Sequence, residues 1–279
     1  MKKISRRSFL AAAGLSVAAL ALTACGGSSA STASSVASSA ASSEAASTSA
    51  AAGELTTVEA GKLTMATNAT FPPYEMTTDA GEFEGIDFET AQAIADKLGL
   101  ELQIDDMDFD AALLSVQQGK ADIVMAGVTV TDERKAVMDF SDSYATGIQS
   151  IIVPNDSDIA SPDDLAGKKI GTQRGTTGYI YCSDDFGDEN VVAYDDGLTA
   201  VQALNNGQVD AVVIDNAPAK EFVAANPGLV ILDTSYAEED YAIGVAKGSS
   251  LKDAVNAALE ELKADGTLQS IVDKYITAE

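Results

Sequence analysis

The chain has 279 residues, with 17 basic and 43 acidic side chains, a formal net charge of −26 and no histidine. So large a negative charge excludes nucleic acid and anionic membrane surfaces as partners. The absence of histidine excludes histidine-based acid/base catalysis and argues against a zinc site, so neither a metal nor a cofactor is expected.

The first 24 residues have the pattern of an export signal. Four basic side chains among the first seven residues precede an apolar run from Phe9 to Leu22, which is too short for a comfortable membrane span. The string SRRSFL at 5–10 is also typical of a twin-arginine signal. Both the general secretory route and the twin-arginine route therefore stay open.

The segment LTAC at 22–25 resembles the lipobox of bacterial lipoproteins. The resemblance implies cleavage before Cys25 and a diacylglyceryl thioether on its sulfur, and two acyl chains are enough for stable anchoring. The linker from Gly26 to Gly53 is almost entirely Ser and Ala, which cannot bury enough apolar surface to fold. We therefore expect a globular body tethered to the cell membrane, on its outer side, with a reach on the order of 30 Å.

Strands and helices alternate at the start of the body. Apolar residues recur at helical spacing before Gly99 and before Gly119, and short apolar runs mark the strands. The predicted elements are strand 62–67, helix 87–98, strand 101–105, helix Phe109–Gln118 and strand 121–126. This βαβαβ order predicts a parallel sheet covered by helices.

A second α/β unit begins after Gly147. Ser161 and Pro162 are typical of the N-cap and first position of a short helix that ends at Leu165. The other predicted elements are strands 147–153, 168–172, 190–194, 210–215 and 241–246 and helices 197–206 and 217–225. Cys182, the only cysteine of the body, is predicted to be a buried small hydrophobe and has no partner for a disulfide.

Two amphipathic helices, Leu251–Ala264 and Leu268–Ile276, end the chain without a sheet of their own. We predict that they pack against the first unit, which requires the chain to cross between two lobes twice. The crossings are placed near Tyr144–Ile148 and Glu238–Tyr241. Lobe 1 then comprises 54–146 with 240–279, and lobe 2 comprises 147–239.

Seven segments together resemble the bacterial extracellular solute-binding proteins, family 3, which serve amino-acid ABC importers. They are ATNATFPPYEM (66–76), GEFEGIDFETAQAIADKLG (81–99), MDFDAALLSVQQGKADIVMAGVTVTDER (107–134), DFSDSY (139–144), SPDDLAGKKIGTQRGTTG (161–178), GQVDAVVID (207–215) and DGTLQSIVDKY (265–275). The resemblance implies an α/β, type II periplasmic-binding-protein fold with two lobes joined by two hinge strands. It also implies a monomeric, non-enzymatic protein that delivers a free amino acid to a permease.

A free amino acid is a zwitterion, and burying it requires partners for both charges. Arg134 matches the family's carboxylate-binding arginine, whose planar fork can hold both carboxylate oxygens. Asp215 matches the acid that takes the ammonium, although an Asp between a strand and a helix is also typical of an N-cap. Gly127 and Thr129 match further contacts to the ammonium and carboxylate.

Four more residues match the family's ligand site. Thr176 and Thr177 begin a predicted helix and suit an anion there, with a plain N-cap as the alternative for Thr176. Phe71 and Phe109 match the aromatic walls around the ligand side chain, with an ordinary core position as the alternative for Phe109.

Asn68 stands where many relatives of the family have Asp in the same motif. A neutral amide removes a negative charge from the pocket and favours an uncharged polar amino acid over lysine, arginine or ornithine. Gln173 and Arg174 are near enough in sequence to shift this preference, even toward an acidic ligand.

Two alternatives share the fold. One is a cyclohexadienyl dehydratase-like enzyme, which keeps the arginine anchor and needs an additional acid, for which Glu75 is the nearest candidate. The other is a ligand-sensing lipoprotein. The lipobox and the presence of Asp215 favour transport.

Overall fold

A nine-stranded sheet runs through the computed structural model, which describes residues 55–276. The predicted signal, Cys25 and the linker up to Gly53 lie outside the described residues. The helices and strands, in chain order, are β1 (Lys62–Thr67), β2 (Thr70–Phe71), β3 (Glu75–Thr77), β4 (Phe83–Glu84), α1 (Ile86–Leu98), β5 (Glu101–Asp106), α2 (Phe109–Gln117), β6 (Ile123–Val124), α3 (Asp132–Val137), β7 (Met138–Pro154), β8 (Ile170–Gln173), α4 (Thr177–Phe186), β9 (Val191–Tyr194), α5 (Gly197–Asn205), β10 (Ala211–Asp215), α6 (Asn216–Ala225), β11 (Leu229–Ile231), β12 (Ala237–Ala246), α7 (Leu251–Ala264) and α8 (Thr267–Tyr275), with 3-10 helices at Pro162–Leu165 and Asp188–Asn190.

The strand order is β5-β1-β6-β12-β7-β10-β8-β9, and β11 pairs with β7. The outer strands pair in parallel, β1 with β5 and β6, and β8 with β9 and β10. This confirms the parallel pairing that the βαβ pattern predicts. The central strands β7 and β12 run antiparallel to their neighbours, so the sheet as a whole is mixed.

Strands β7 and β12 connect the two halves of this sheet. The predicted crossing segments pair directly with each other, since Tyr241 lies opposite Ala145 and Glu238 lies opposite Ile148. Beyond Gln149, β7 pairs with β10 and β11 instead. All described residues belong to one compact unit, and the division into two lobes at this ribbon remains our proposal.

Helix α1 shows how the first half folds. Gly99 takes a left-handed φ of 69° and donates its N–H to the last turn, which ends the helix as predicted. Its apolar face, which includes Ile94, is buried in a cluster that also contains Leu259 of α7 and Ile271 of α8. Each such side chain contributes about 1.5–3 kcal/mol on burial. The C-terminal helices therefore pack on the first unit, as predicted.

Some elements differ from the sequence-based prediction. The strand predicted at 121–126 is limited to Ile123–Val124, because Asp122 turns its carboxylate onto the N–H groups of Val58 and Thr64 at 2.7 and 2.8 Å and Gly127 turns the chain at a φ of 54°. The small sheet β2–β3–β4, helix α3 and strand β11 were not predicted. Cys182 is fully buried as predicted, and burial raises the pKa of its thiol to about 12.

No helix between residues 55 and 276 is both long and apolar enough to cross a membrane.

Candidate functional site

One cavity lies where the strand ends of both halves of the sheet meet. All nine binding residues predicted from the sequence line it. The full lining comprises Asn68, Phe71, Glu75, Phe109, Ala126, Gly127, Thr129, Arg134, Gln173, Thr176, Thr177 and Asp215. The structure therefore brings together side chains that lie up to 147 positions apart in the sequence, between Asn68 and Asp215.

Arg134 is the buried cation of this cavity. It lies in the first turn of α3, where Thr131 caps the helix by accepting its N–H at 3.2 Å. Its Nη1 donates to the carbonyl of Thr129 at 2.7 Å, its Nη2 donates to that of Gly175 at 3.1 Å, and its Cζ lies 5.4 Å from the Phe109 ring centroid. Burial lowers the pKa of the guanidinium. Among residues 55–276 no carboxylate forms an ion pair with it.

Asp215 is the buried acid of the cavity, at the end of β10. Its Oδ1 accepts a hydrogen bond from the Tyr241 hydroxyl, and its Oδ2 accepts one from Gln149 Nε2 at 2.7 Å. Although Asp215 occupies the N-cap position of α6, its side chain makes no capping hydrogen bond. Burial raises the pKa of its carboxyl to about 7, against the opposing effect of the Tyr241 hydrogen bond.

Gly127 allows the chain to turn tightly beside the cavity. Its φ is +54°, and a Cβ there would lie 3.0 Å from the Phe71 ring and 3.2 Å from the Tyr241 ring. Both the backbone conformation and the lack of space therefore disfavour any residue with a side chain at this position. Its N–H already donates to Asp87 Oδ2 at 3.0 Å. The group that Gly127 leaves for a ligand is its carbonyl.

The two threonines at the start of α4 have different local roles. Thr176 caps the helix, since its hydroxyl accepts the N–H of Tyr179 at 3.3 Å and donates to the Gln173 carbonyl at 2.8 Å. The Thr177 hydroxyl donates to Glu239 Oε2 at 2.8 Å. In the first turn of any helix the amides have no intrahelical partner, which leaves the Thr177 amide suited to an anion.

Asn68 and Gln173 join the ends of β1 and β8 across the cavity. Gln173 Nε2 donates to Asn68 Oδ1 at 2.8 Å, and Thr70 Oγ1 donates to the same oxygen at 2.9 Å. Asn68 Nδ2 donates to the Met107 carbonyl at 3.0 Å. This end of the cavity therefore presents neutral amides.

The aromatic side chains enclose the cavity on two sides. Phe71 is 7% exposed and stacks on Tyr74 with the ring centroids 6.0 Å apart. Phe109 is 5% exposed and lies beneath Arg134. Each ring is both a core residue and a wall, so the two interpretations of Phe109 are compatible.

Glu75 is a lining residue with an unusual environment. It is fully buried, and desolvation followed by the negative charge of Asp87 raises its pKa well above the ordinary value. Asp87 Oδ2 accepts hydrogen bonds from Gly127 N–H at 3.0 Å and from the Tyr144 hydroxyl at 2.9 Å. Burial and the neighbouring Asp87 therefore favour the neutral form of Glu75, and neither of its oxygens has another hydrogen-bond partner among the described residues.

Sequence reasoning missed Gln149 and Glu239, which support the lining residues from behind. Glu239 Oε2 accepts hydrogen bonds from Thr129 Oγ1 at 3.2 Å and from Gln149 Nε2 at 3.1 Å. Gln149 is 1% exposed in the middle of an apolar strand, and that lone amide in GIQSIIV was the available signal. Within residues 55–276 no group of acids and cysteines has the arrangement of a metal site.

The fold and this cleft define a solute-binding protein. A model of the family described as bacterial extracellular solute-binding proteins, family 3, matches residues 63–278. The chain belongs to this family and has its type II periplasmic-binding-protein fold.

Named relatives are binding proteins for different amino acids. The chain is 33% identical over 225 residues to the L-cystine-binding protein TcyJ of Escherichia coli K12, covering 79% of this chain and 85% of that protein. It is 34% identical over 228 residues to the arginine-binding extracellular protein ArtP of Bacillus subtilis 168, covering 78% and 87%. A solved structure of an ancestral arginine-binding protein bound to glutamine has a TM-score of 0.75 and 41% identity, covering 79% of this chain and all of that chain.

Proposed function

We propose that this protein is an extracytoplasmic lipoprotein, anchored through Cys25, that captures a free polar, uncharged amino acid and delivers it to an ABC importer permease. The observation that carries the proposal is Arg134, a buried guanidinium without an ion-pair partner among the described residues, lining the same cavity as the buried acid Asp215. Burying a lone charge is costly unless a counter-charge joins it. A zwitterion supplies one counter-charge to each residue.

The proposed pose assigns each ligand group to a described residue. The α-carboxylate binds the guanidinium of Arg134 and the Thr177 amide. The α-ammonium binds Asp215 and the carbonyl of Gly127. The side chain of the ligand extends between Phe71 and Phe109, toward the amides of Asn68 and Gln173. All four residues line the cavity.

The proposed preference for an uncharged ligand rests on the amide end of the cavity. Asn68 and Gln173 carry no charge, and burial favours the neutral form of Glu75 by raising its pKa. A ligand amide or hydroxyl can exchange hydrogen bonds with these groups, whereas a guanidinium would have no carboxylate to pair with. One relative is named for cystine and another for arginine, so the charge of the ligand is the property that must be tested.

The proposed mechanism is closure of the cleft around the ligand. The hydrogen bonds that cross between the proposed lobes include those from Arg134 Nη2 to the Gly175 carbonyl at 3.1 Å and from Gln173 Nε2 to Asn68 Oδ1 at 2.8 Å. A ligand that contacts both sides adds to these bonds and shifts the equilibrium toward the closed form. The permease would recognise that form.

Isothermal titration of purified residues 54–279 against the twenty amino acids, cystine, ornithine and citrulline tests the proposal. We expect saturable binding of one or a few uncharged polar amino acids at a 1:1 ratio. Tighter binding of arginine or lysine would overturn the ligand class. Absence of binding to every compound would overturn the function.

The anchor is tested separately. Expression of the full chain in a bacterium that processes lipoproteins, with radiolabelled palmitate, should label the wild type and not Cys25→Ala. Release of unlabelled wild-type protein into the medium would contradict the lipid anchor.

A further inference from the structure

Glu239 is a buried acid that connects the two sides of the cavity from behind. It lies on β12 between the exposed residues Glu238 and Asp240 and is 8% exposed. Its Oε2 accepts hydrogen bonds from Thr129 Oγ1 at 3.2 Å and from Thr177 Oγ1 at 2.8 Å. One threonine belongs to each of the proposed lobes.

Gln149 extends this network to Asp215. Its Nε2 donates to Asp215 Oδ2 at 2.7 Å and to Glu239 Oε2 at 3.1 Å. The same nitrogen also lies 3.4 Å from Thr177 Oγ1, and because an amide nitrogen has only two hydrogens, the two shorter bonds to the acids use both. Gln149 therefore keeps the two acids bridged and fixed in position.

The direction of these hydrogen bonds follows from the chemistry of the carboxylate. A carboxylate can only accept, and a hydroxyl has one hydrogen to donate. Thr129 and Thr177 therefore give their hydrogens to Glu239, and their oxygens can offer only lone pairs to the cavity that they line.

The surface around Asp215 consequently presents acceptors. An ammonium group has three donors and no acceptor, whereas a hydroxyl or an amide of similar size carries both. We propose that Glu239 is a positioning residue that holds the Thr129 and Thr177 hydroxyls as acceptors, and thereby makes the cavity select an α-ammonium group. This inference rests on the proposed function and deepens it.

The role of Glu239 differs from general support of the fold. If Glu239 only stabilised the closed cleft, its loss would weaken every ligand by a similar factor. If it orients the hydroxyls, its loss weakens ligands that carry the ammonium and spares those that lack it. The ratio of the Kd for the amino acid to the Kd for the same compound without the α-ammonium distinguishes the two roles.

The test uses Glu239→Gln and the matched control Glu238→Gln. Glu238 is the adjacent acid, exposed on the opposite face of the same strand, so its substitution changes the charge equally without touching the network. The probes are the tightest amino acid of the panel and the same compound lacking the α-ammonium, such as L-glutamine and glutaramate. Calorimetry gives both Kd values for each protein.

We expect Glu239→Gln to weaken the amino acid at least tenfold and its desamino acid less than threefold, because the new amide donates to the threonines and turns their hydrogens toward the cavity. Glu238→Gln should change neither value. Equal losses for the two probes would overturn the proposal. If wild type binds no amino acid, the proposed function fails, which is a different result from equal losses.

Thermal unfolding shows whether Glu239→Gln folds. If it does not fold, a second variant still tests the proposal. Thr129→Val removes one acceptor and keeps the shape of the side chain. It should reduce the affinity ratio between the amino acid and its desamino acid at least threefold. An unchanged ratio in Thr129→Val would also overturn the proposal.

Discussion

The side-chain amide of Gln173 donates a 2.8 Å hydrogen bond to Oδ1 of Asn68, which joins a strand end of each half of the sheet at one end of the cavity. Asn68 Nδ2 donates in turn to the Met107 carbonyl at 3.0 Å. An amide can accept from a donor on one side and donate to a carbonyl on the other, which an ionised carboxylate cannot do. The pair therefore joins the two halves of the sheet at this end of the cavity and keeps the region neutral.

Asn68→Asp should shift the preference toward cationic amino acids. The new carboxylate adds a negative charge to the cavity, and one of its oxygens faces the Met107 carbonyl instead of donating to it. We expect the Kd for arginine relative to that for glutamine to fall at least tenfold, with about 1–3 kcal/mol lost from the free energy of unfolding. Titration with both ligands and urea denaturation measure the two effects.

Asn206→Asp is the matched control for this change, since Asn206 is exposed at the end of α5 and does not line the cavity. It should leave the ligand ratio unchanged. An unchanged ratio in Asn68→Asp as well would show that this position does not determine the charge of the ligand.

Arg134→Lys should bind its ligand far more weakly although the charge is retained. Lysine has no planar fork, so it cannot hold two carboxylate oxygens while it also donates to the Thr129 and Gly175 carbonyls. We expect a loss of about 3 kcal/mol in binding, on the order of 100-fold in Kd. Calorimetry measures the affinity, and circular dichroism checks that the fold is kept.

Arg174→Lys provides the comparison. Arg174 is half exposed and lies 3.5 Å from Asp195, an arrangement that contributes little. Binding within threefold of wild type is expected there. The same small effect in Arg134→Lys would remove Arg134 from the carboxylate role.

The sequence predicts the repeated α/β elements well because their signals are local. The stop of α1 at Gly99 follows from a left-handed glycine, and the positions of β1 and β10 follow from short apolar runs. Arg134 and Asp215 could be placed only through the family resemblance, since nothing local distinguishes them from a surface arginine and a helix cap.

Gln149 and Glu239 could not be predicted in this way. Their contact depends on the antiparallel register of β7 and β12, in which Gln149 lies opposite Ala237 and Glu239 lies opposite Gly147. That register is set by the packing of both halves, and the intervening residues give no periodic signal for it. Bulges near Tyr241 and Ala242 make the register harder still to infer.

Asp215 should make ligand binding depend on pH. Its pKa is raised to about 7 by burial without a ligand, and only the ionised carboxylate pairs with an ammonium. Affinity should be constant above about pH 7 and fall about tenfold per pH unit below it, as expected when one proton must leave on binding. Titrations between pH 5 and 9 measure this profile.

Asp215→Asn should give weak binding with a flat profile in the same range. Asp233→Asn, an exposed acid in a loop, should reproduce the wild-type profile. A profile for Asp215→Asn that still fell below pH 7 would assign the titration to another group, such as Asp87.

Glu75→Gln should flatten the dependence of stability on pH. A carboxyl with a raised pKa in the folded state contributes stability that is fully present below its unfolded pKa of about 4.3 and is lost as pH rises through the folded value. Desolvation and the charge of Asp87 raise the pKa of Glu75 well above normal, so the stability is lost between about pH 4.3 and that raised pKa. Glutamine keeps the size and shape of the side chain and has no titrating proton.

We therefore expect Glu75→Gln to match wild type within about 1 kcal/mol at pH 5 and to gain on wild type by about 1.4 kcal/mol for each pH unit between the unfolded pKa and the raised folded pKa, with a constant difference above the folded pKa. Urea denaturation between pH 5 and 9 measures the difference. The exposed Glu82→Gln should follow wild type throughout. Glu75→Ala should lose about 2–4 kcal/mol at pH 5, because it leaves a cavity, and this deficit should shrink as pH rises because alanine does not titrate either. Parallel curves for Glu75→Gln and wild type would mean that the buried pair does not share a titrating proton.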